Sequence, residues 1–165
     1  MWKTTHIIFS KFVNNFNNKE QMITEEIEQE INFDGNRLKL EYFESYDGSG
    51  GGPSVWNHSC MICCLFDVTD VESFENCKNW IFCGDRYITN EHVKIIVGTK
   101  IDRERVVTRE QGEEMAKELD SEYFEISSKT GEGIPELVEA INDKICEIFL
   151  AQTRTSPPKE KCLIC

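Results

Sequence analysis

The sequence has few basic residues and lacks any long hydrophobic run. Its 165 residues include 18 Lys and Arg against 30 Asp and Glu, for a formal net charge of -12 at pH 7. A nucleic-acid partner requires a basic face, so this balance argues against one. No apolar stretch approaches the roughly 20 residues of a membrane-spanning helix, and the first residues lack the apolar core of a signal peptide. Length and composition predict one soluble domain with its own core.

Disulfide bonds are not expected, although the chain has eight cysteines. It is too long for a disulfide scaffold, and Cys63 and Cys64 lie side by side in an apolar segment, where cysteine acts as a small hydrophobic residue. We therefore expect a reducing compartment. Cys60 with Cys63, and Cys162 with Cys165, have the spacing of a metal pair. The first pair falls in a predicted strand and the second in a predicted tail, which favours free thiols over zinc.

A short apolar segment followed by polar residues stands past the middle of the chain. Residues 93–97 are Val-Lys-Ile-Ile-Val, the β-branched composition of a parallel strand buried on both faces, which Gly98 is expected to end. Thr-Lys-Ile-Asp at 99–102 follows at the carboxyl end of this strand, where open α/β sheets bind ligands. The two carboxylate oxygens of Asp102 match the two adjacent N–H donors that a guanine edge presents and adenine lacks.

A second polar loop follows another predicted strand. Residues 123–126 are rich in apolar side chains, and Ser-Ser-Lys-Thr-Gly-Glu-Gly at 127–133 precedes a predicted helix. Together, 99–102 and this loop resemble the guanine-specificity motifs N/T-K-x-D and E-x-S-A-K of the Ras superfamily of small GTPases. Asp-Val-Thr-Asp-Val-Glu-Ser-Phe at 67–74, with Trp80 following, is similar to the Rab branch in particular. The resemblance covers nearly the whole chain.

The resemblance implies guanine contacts in both loops. Asp102 would select guanine, the stem of Lys100 would pack along the base, and the backbone N–H at Ser128 would reach the guanine carbonyl. Thr99 stands where Rab proteins have asparagine, and the Rho branch has threonine there. The full set of guanine-binding residues is Thr99, Lys100, Asp102, Ser127, Ser128 and Lys129.

The resemblance also implies a phosphate and magnesium site near the start of the chain. Lys3 and Thr4 match the last two positions of a P-loop, where lysine binds phosphate and threonine binds Mg²⁺. We expect a helix through Ile7 and Val13 to follow, with the glycines of the P-loop and its preceding strand missing. An exposed terminus is the alternative for Lys3 and Thr4. Thr24 is the threonine placed to match the metal ligand of switch I.

Residues 43–48 stand where the family has the switch II motif W-D-T-A-G-Q. Counting from the turn at 34–35 places Glu44 at the aspartate that reaches Mg²⁺, whereas a slipped register places Asp47 there. Neither register supplies the glutamine that orients the attacking water, so we assign no catalytic residue. GTP or GDP and Mg²⁺ are the cofactors that the resemblance implies, and the incomplete P-loop argues against tight binding of either.

The order of predicted elements indicates the α/β class. A hairpin turn at 34–35, a buried strand at 60–66, a helix capped by Asp70, a helix capped by Thr108 with Gln111, and a final amphipathic helix follow one another. This order predicts a doubly wound, mostly parallel sheet with helices on both faces, the small G-protein fold lacking its first strand.

Two parts of the chain are expected to differ in order. Residues 1–150 are the predicted small GTPase-like domain, and residues 151–165 are a predicted flexible tail, because Thr-Ser-Pro-Pro at 155–158 opposes a helix. The ending Cys162-Leu-Ile-Cys165 resembles the prenylation site of Rab tails. One lipid binds membrane only marginally, so stable anchoring favours lipids on both cysteines. The expected location is cytoplasmic, peripheral on the cytosolic face of an endomembrane.

The favoured function is that of a Rab-like small GTP-binding protein, a guanine-nucleotide-dependent switch in vesicle and membrane trafficking. Its expected partners are guanine nucleotide, effector and regulatory proteins, the prenylation machinery and a membrane reached through the lipid anchor. The alternative is a pseudo-GTPase, a lipidated binding module that does not cycle nucleotide. An adaptor that never bound nucleotide fits less well, because both guanine loops are present.

Overall fold

The computed structural model describes the backbone of residues 3–11, 27–33, 36–45, 59–89 and 91–155, and the side chains of residues 59–89 and 91–151. Strands and helices alternate from the fourth strand onwards, the pattern of βαβ units. In chain order, the elements within these ranges are β1 (Lys3–Lys11), β2 (Ile27–Phe33), β3 (Asn36–Ser45), β4 (Ser59–Asp67), α1 (Val71–Tyr87), β5 (Val93–Thr99), α2 (Arg109–Glu118), β6 (Glu122–Ile126) and α3 (Ile134–Thr155).

The strands form one sheet in the order β2-β3-β1-β4-β5-β6. Strands β3, β1, β4, β5 and β6 run parallel to one another. Strand β2 is antiparallel to β3, with Phe33 opposite Asn36. The hairpin predicted around residues 34–35 is thus confirmed. The parallel strands bring their carboxyl ends to one edge of the sheet, which is where ligands bind in such folds.

The described core lies on both faces of the sheet, because alternate residues of β4 and β5 point to opposite sides. Helices α1 and α2 cover one face, and α3 covers the other. The first cluster includes Ile62, Cys64, Phe66, Trp80, Ile96 and Met115. The second includes Met61, Cys63, Ile95, Ile126, Ile141 and Phe149. Helices on both faces of a mostly parallel sheet confirm the predicted doubly wound α/β class.

Two helices begin where their capping residues were predicted. The Asp70 carboxylate accepts a hydrogen bond from the backbone N–H of Glu72 at 3.0 Å, at the start of α1. Helix α2 begins after Thr108, whose hydroxyl and the Gln111 side chain form a reciprocal capping box. Both caps satisfy backbone N–H groups that the first turn leaves unpaired.

The start of the chain differs from the sequence-based expectation. Residues 3–11 form β1, the strand between β3 and β4, and not the end of a P-loop followed by a helix. Thr-Thr-His-Ile-Ile-Phe at 4–9 is rich in β-branched residues, which favour a strand when sheet neighbours lie on both sides. The central position that was expected to be open is therefore occupied. Phe12 and Val13 lie outside the described residues.

Two predicted boundaries also move. Strand β5 continues through Gly98 to Thr99. A Cβ at Gly98 would lie 2.8 Å from the Tyr123 hydroxyl and 3.1 Å from a Val68 methyl, so this glycine serves close packing and not a turn. Helix α3 continues to Thr155, so residues 151–155 of the predicted tail are helical. Residues 156–165 lie outside the described part of the chain.

Candidate functional site

The two predicted guanine loops leave neighbouring strands at the same edge of the sheet. Thr99, the last residue of β5, pairs with Asp67 at the end of β4 and with Ile126 at the end of β6. The loops that follow are residues 100–108, here called the β5 loop, and residues 127–133, here called the β6 loop. Because three strand ends lie in register, side chains from 67, 100–102 and 127–129 are brought together.

A hydrogen bond joins the two loops at Asp102. The Ser127 hydroxyl donates to Asp102 Oδ1 at 2.6 Å. Lys129 Nζ lies 3.7 Å from Asp102 Oδ2, and the Asp102 side chain is only 12% exposed. The Ser127 bond, with a smaller contribution from Lys129, holds the pKa of the Asp102 carboxyl below its usual range. The group is therefore a charged acceptor at neutral pH.

Ser127 is held in place by the β6 loop itself. Its backbone N–H donates to the Glu132 carbonyl at 3.0 Å, and its carbonyl accepts from the Gly131 N–H at 2.8 Å. Its hydroxyl also accepts from the Thr130 N–H at 3.2 Å. Ser127 is fully buried. Its orientation toward Asp102 is fixed by these bonds.

Gly133 closes the β6 loop against the strand that precedes it. It has a φ of +72°, and a Cβ there would lie 2.0 Å from the carbonyl oxygen of Glu125. Both the left-handed backbone and the close approach require glycine. The turn after Ser127 can therefore fold back on β6 only with this residue.

Lys100 opens the β5 loop in the left-handed region, with a φ of 64°. Its ammonium group pairs with Asp67 Oδ2. Asp67 Oδ1 also accepts from the Thr69 N–H at 2.9 Å and the Thr69 hydroxyl at 2.8 Å. Burial alone would raise the pKa of the Asp67 carboxyl, but the bonds from Lys100 and Thr69 outweigh it and lower the pKa.

Asp67 is absent from the guanine-binding residues predicted from the sequence. The sequence does carry a signal for it, because Asp67 directly follows a buried strand and carboxyl ends of parallel strands meet at one edge.

The remaining predicted guanine residues differ in what they contact. The Thr99 hydroxyl donates to the Phe66 carbonyl at 2.7 Å, so it points at β4. Ser128 and Lys129 are exposed on the β6 loop.

A partly buried ion pair joins the β5 loop to β6. Glu125, whose side chain is 7% exposed, accepts from Arg105 Nη1 at 2.9 Å and from Arg105 Nη2 at 3.2 Å. The Tyr123 hydroxyl donates to the same carboxylate at 2.9 Å. Burial alone would raise the pKa of Glu125, but these bonds outweigh it and the pKa is lowered. Glu125 is the glutamate of the E-x-S-A-K motif, and the sequence analysis gave it no role.

Lys3 and Thr4, predicted to bind phosphate and Mg²⁺, are not brought to the guanine loops. Lys3 and Thr4 begin β1, three and two residues before His6, which pairs with Ser59 at the start of β4. Strand β4 has nine residues, so its two ends are eight steps apart, which is about 26 Å at roughly 3.3 Å per residue. The two residues therefore lie at the opposite edge of the sheet from Asp67, which does not fit the predicted P-loop.

Among the remaining residues predicted to bind metal or carry lipid, the structure describes Glu44 and none of the others. Glu44 lies near the carboxyl end of β3, opposite Phe9 of β1. Thr24, Asp47, Cys162 and Cys165 lie outside the described residues. Within the described ranges, no group of three or more His, Cys, Asp or Glu side chains is arranged to hold a metal ion. None of the helices in the described part of the chain is long and apolar enough to cross a membrane.

With this geometry established, comparison with known proteins identifies the family. The family model described as Ras family matches residues 3–147. The chain belongs to the Ras family. This member is similar to Ras-related protein Rab-18 of Caenorhabditis briggsae, with 34% identity over 145 residues that cover 83% of the chain and 72% of that protein. The Caenorhabditis elegans protein of the same name is 33% identical over 145 residues, covering 83% and 71%.

A third relative adds to this similarity. Ras-related protein RabC of Dictyostelium discoideum is 39% identical over 79 residues, which cover 47% of the chain and 40% of that protein. The chain is therefore a Rab-like member of the Ras superfamily of small GTPases. The identification that the sequence analysis made from the two guanine motifs is confirmed.

Proposed function

We propose that this Rab-like protein binds guanine nucleotide at the carboxyl ends of β5 and β6 and acts as a nucleotide-dependent switch in membrane trafficking. The observation that carries the proposal is the 2.6 Å hydrogen bond from Ser127 to Asp102, which joins the two guanine motifs. A relative named GTP-binding protein ypt2, of Schizosaccharomyces pombe, is 32% identical over 111 residues covering 64% of the chain and 56% of that protein. The family membership supports effector and regulatory proteins as partners.

The described residues fit a guanine base. An ionised carboxylate has two oxygens with about four acceptor positions, of which Ser127 uses one at Asp102. The remaining positions suit the ring N1–H and exocyclic amino group of guanine, and adenine has no matching pair of donors. The aliphatic stem of Lys100 would pack along the base, and the backbone N–H of Ser128 would donate to the guanine carbonyl.

The proposed guanine site does not include the phosphate and magnesium contacts. Thr24 and Glu44 for Mg²⁺ stay predictions of the family resemblance, whereas the position of Lys3 and Thr4 at the start of β1 does not fit the predicted phosphate and Mg²⁺ contacts. Within the described residues, no group of three or more His, Cys, Asp or Glu side chains could hold a metal ion. The activity proposed for the guanine loops is therefore binding of the nucleotide through its base. Guanine contacts without a full set of phosphate ligands predict weaker binding than a complete small GTPase would have.

Titration with fluorescent GDP and ADP tests the guanine site. We expect saturable binding that is selective for GDP. Asp102→Asn replaces one acceptor by a donor, so it should weaken GDP by about 1.5–3 kcal/mol, roughly tenfold to a hundredfold. Xanthosine diphosphate presents a carbonyl where guanine has its amino group, so the same variant should bind it better than the original protein does.

Asp120→Asn is the matched control. Asp120 is exposed and has a φ of 52°, a conformation that asparagine also adopts. It makes the same chemical change away from the guanine loops, and GDP affinity should be unchanged. Equal affinity for GDP and ADP, or an unchanged preference in Asp102→Asn, would contradict the guanine site.

Attachment to the cytosolic face of an endomembrane is proposed to use lipids on Cys162 and Cys165. The support is the cysteine spacing in the sequence and the Rab-like identity of the chain. In a reaction with purified Rab prenylation machinery and labelled isoprenoid, the original chain should take up label and the Cys162→Ser/Cys165→Ser variant should not. Cys83→Ser, a partly exposed cysteine of α1, should keep full labelling. Labelling of the double variant would contradict the assignment.

A pseudo-GTPase is the second candidate, favoured by one specific observation. Residues 43–51, which cover both registers of switch II, contain no glutamine, so neither register supplies the residue that orients water for hydrolysis. In that case the protein binds partners without cycling nucleotide. Absence of saturable GDP binding at high micromolar nucleotide would favour this candidate over the switch.

A further inference from the structure

Two sets of side-chain hydrogen bonds connect the β5 loop to residues 125 and 127, at the end of β6 and just after it. The first is the bond from Ser127 to Asp102 at 2.6 Å. The second is the pair of bonds from Arg105 to Glu125, at 2.9 and 3.2 Å. Asp102 and Arg105 are three residues apart on one segment, and Glu125 and Ser127 are two residues apart on the other. The Arg105–Glu125 pair therefore bears directly on the spacing between Asp102 and Ser127.

Glu125 is itself held firmly against the residues around it. Its backbone carbonyl lies against Gly133, so the strand end and the β6 loop are packed together there. Its carboxylate is nearly buried and also accepts from the Tyr123 hydroxyl at 2.9 Å. Arg109 Nη1 lies 3.7 Å from Glu125 Oε2. A bidentate arginine on a buried carboxylate restrains direction as well as distance.

The β5 loop is held independently on its other side. The backbone N–H groups of Val106 and Val107 donate to the Val68 carbonyl at 2.9 and 3.0 Å. Loss of the Arg105–Glu125 pair would therefore leave residues 106–107 attached to Val68. The Asp102 end of the loop would then be held on the β6 side only by the bond from the Ile101 N–H to the Ile126 carbonyl and by the Ser127 bond. The expected consequence is a displaced Asp102, not an unfolded loop.

We propose that Arg105 and Glu125 are positioning residues that hold Asp102 against Ser127 and thereby set its alignment with the amino edge of guanine. The proposal deepens the proposed function and rests on it for the identity of the ligand. The two residues touch no base themselves. Their effect is transmitted through the position of the Asp102 carboxylate.

The test compares GDP with inosine diphosphate, which lacks the exocyclic amino group. The ratio of their dissociation constants measures the bond between that amino group and Asp102, which is worth roughly tenfold in the original protein. Arg105→Met keeps much of the side-chain length and removes all its donors, so the ratio should fall toward one. Arg105→Lys restores the charge without the bidentate geometry and should give an intermediate ratio.

Lys144→Met is the matched control. Lys144 Nζ lies 2.8 Å from Glu122 Oε1, at the other end of the same strand. This variant also removes an ion pair from β6, so a purely structural effect should appear equally in both variants. Melting temperatures recorded in parallel separate stability from selectivity, and an unchanged inosine-to-guanine ratio is expected for the control. If Arg105→Met does not fold, Arg105→Lys carries the comparison.

Amide hydrogen exchange without nucleotide gives an independent readout. The Ile101 N–H donates to the Ile126 carbonyl at 3.4 Å, and the Thr130 N–H to the Ser127 hydroxyl at 3.2 Å. In Arg105→Met, the Ile101 and Thr130 amides should exchange roughly tenfold faster relative to the Val107 amide. The Val107 N–H is the reference because it donates to the Val68 carbonyl and not to β6 or its loop. Unchanged relative exchange would overturn the positioning proposal even if GDP does not bind. GDP binding with an unchanged ratio would overturn it while the guanine site stands.

Discussion

The two guanine loops are held by different means. The β6 loop is closed by bonds within itself: the Ser127 N–H to the Glu132 carbonyl, and the Gly131 N–H to the Ser127 carbonyl. The β5 loop is held mainly by its neighbours, through the carbonyl of Val68, the residue after β4, and the Glu125 carboxylate on β6. One loop depends on its own backbone conformation, and the other depends on a backbone carbonyl and a side chain that lie outside it.

This difference assigns the loops different sensitivities. Substitutions that disturb backbone conformation should damage the β6 loop most, because its bonds follow from its own dihedral angles. Substitutions of charged side chains should shift the β5 loop, because its position depends on partners in other elements. Base selectivity requires both, since Asp102 comes from one loop and Ser127 from the other.

Gly133→Ala is the strongest way to break the β6 loop. The added Cβ would lie 2.0 Å from the Glu125 carbonyl oxygen, and the φ of +72° is unfavourable for alanine. The backbone must move, so we expect the free energy of unfolding to fall by about 3 kcal/mol or more. Urea denaturation at neutral pH measures the loss.

Gly131→Ala is the control for that experiment. Gly131 also has a positive φ, +83°, but a Cβ there would meet nothing within 4 Å. Only the conformational penalty applies, so the expected loss is about 1–2 kcal/mol. Equal losses for the two variants would mean that the close approach of Gly133 to β6 contributes nothing.

Local patterns predicted the elements that depend on neighbours in the sequence. The cap of α2 needs only Thr108 and Gln111, three residues apart, and it forms as predicted. The two guanine motifs likewise indicated that residues 99–102 and 127–129 serve one base. The hydrogen bond from Ser127 to Asp102 was not predicted and comes from the structure.

The partners of two charged side chains could not be predicted from the motifs. Lys100 and Asp67 are separated by 33 positions, and Arg105 and Glu125 by 20. Nothing local indicates which of many charged residues will pair. The strand β1 is a similar case, since β-branched residues at 4–9 fit a helix or a strand until β3 and β4 are in place.

Glu125→Gln tests the ion pair that holds the β5 loop, which is expected to contribute less stability than the close approach at Gly133. The bonds from Arg105 and Tyr123 outweigh the effect of burial and lower the pKa of Glu125 in the folded protein. A lowered pKa stabilises the fold above the pKa of the unfolded chain, and this contribution is lost as the pH falls through the folded pKa. Glutamine keeps the shape but does not titrate.

We therefore expect Glu125→Gln to lower the free energy of unfolding by about 1–2 kcal/mol at neutral pH, less than Gly133→Ala does. The difference from the original protein should shrink as the pH falls toward about 3, because protonated Glu125 no longer attracts Arg105. Glu122→Gln, which removes the more exposed pair with Lys144, should change stability by no more than about 0.5 kcal/mol. If the difference in free energy of unfolding between Glu125→Gln and the original protein stays constant across this pH range, the Glu125 charge does not hold the β5 loop. The two loops would then differ in backbone conformation alone.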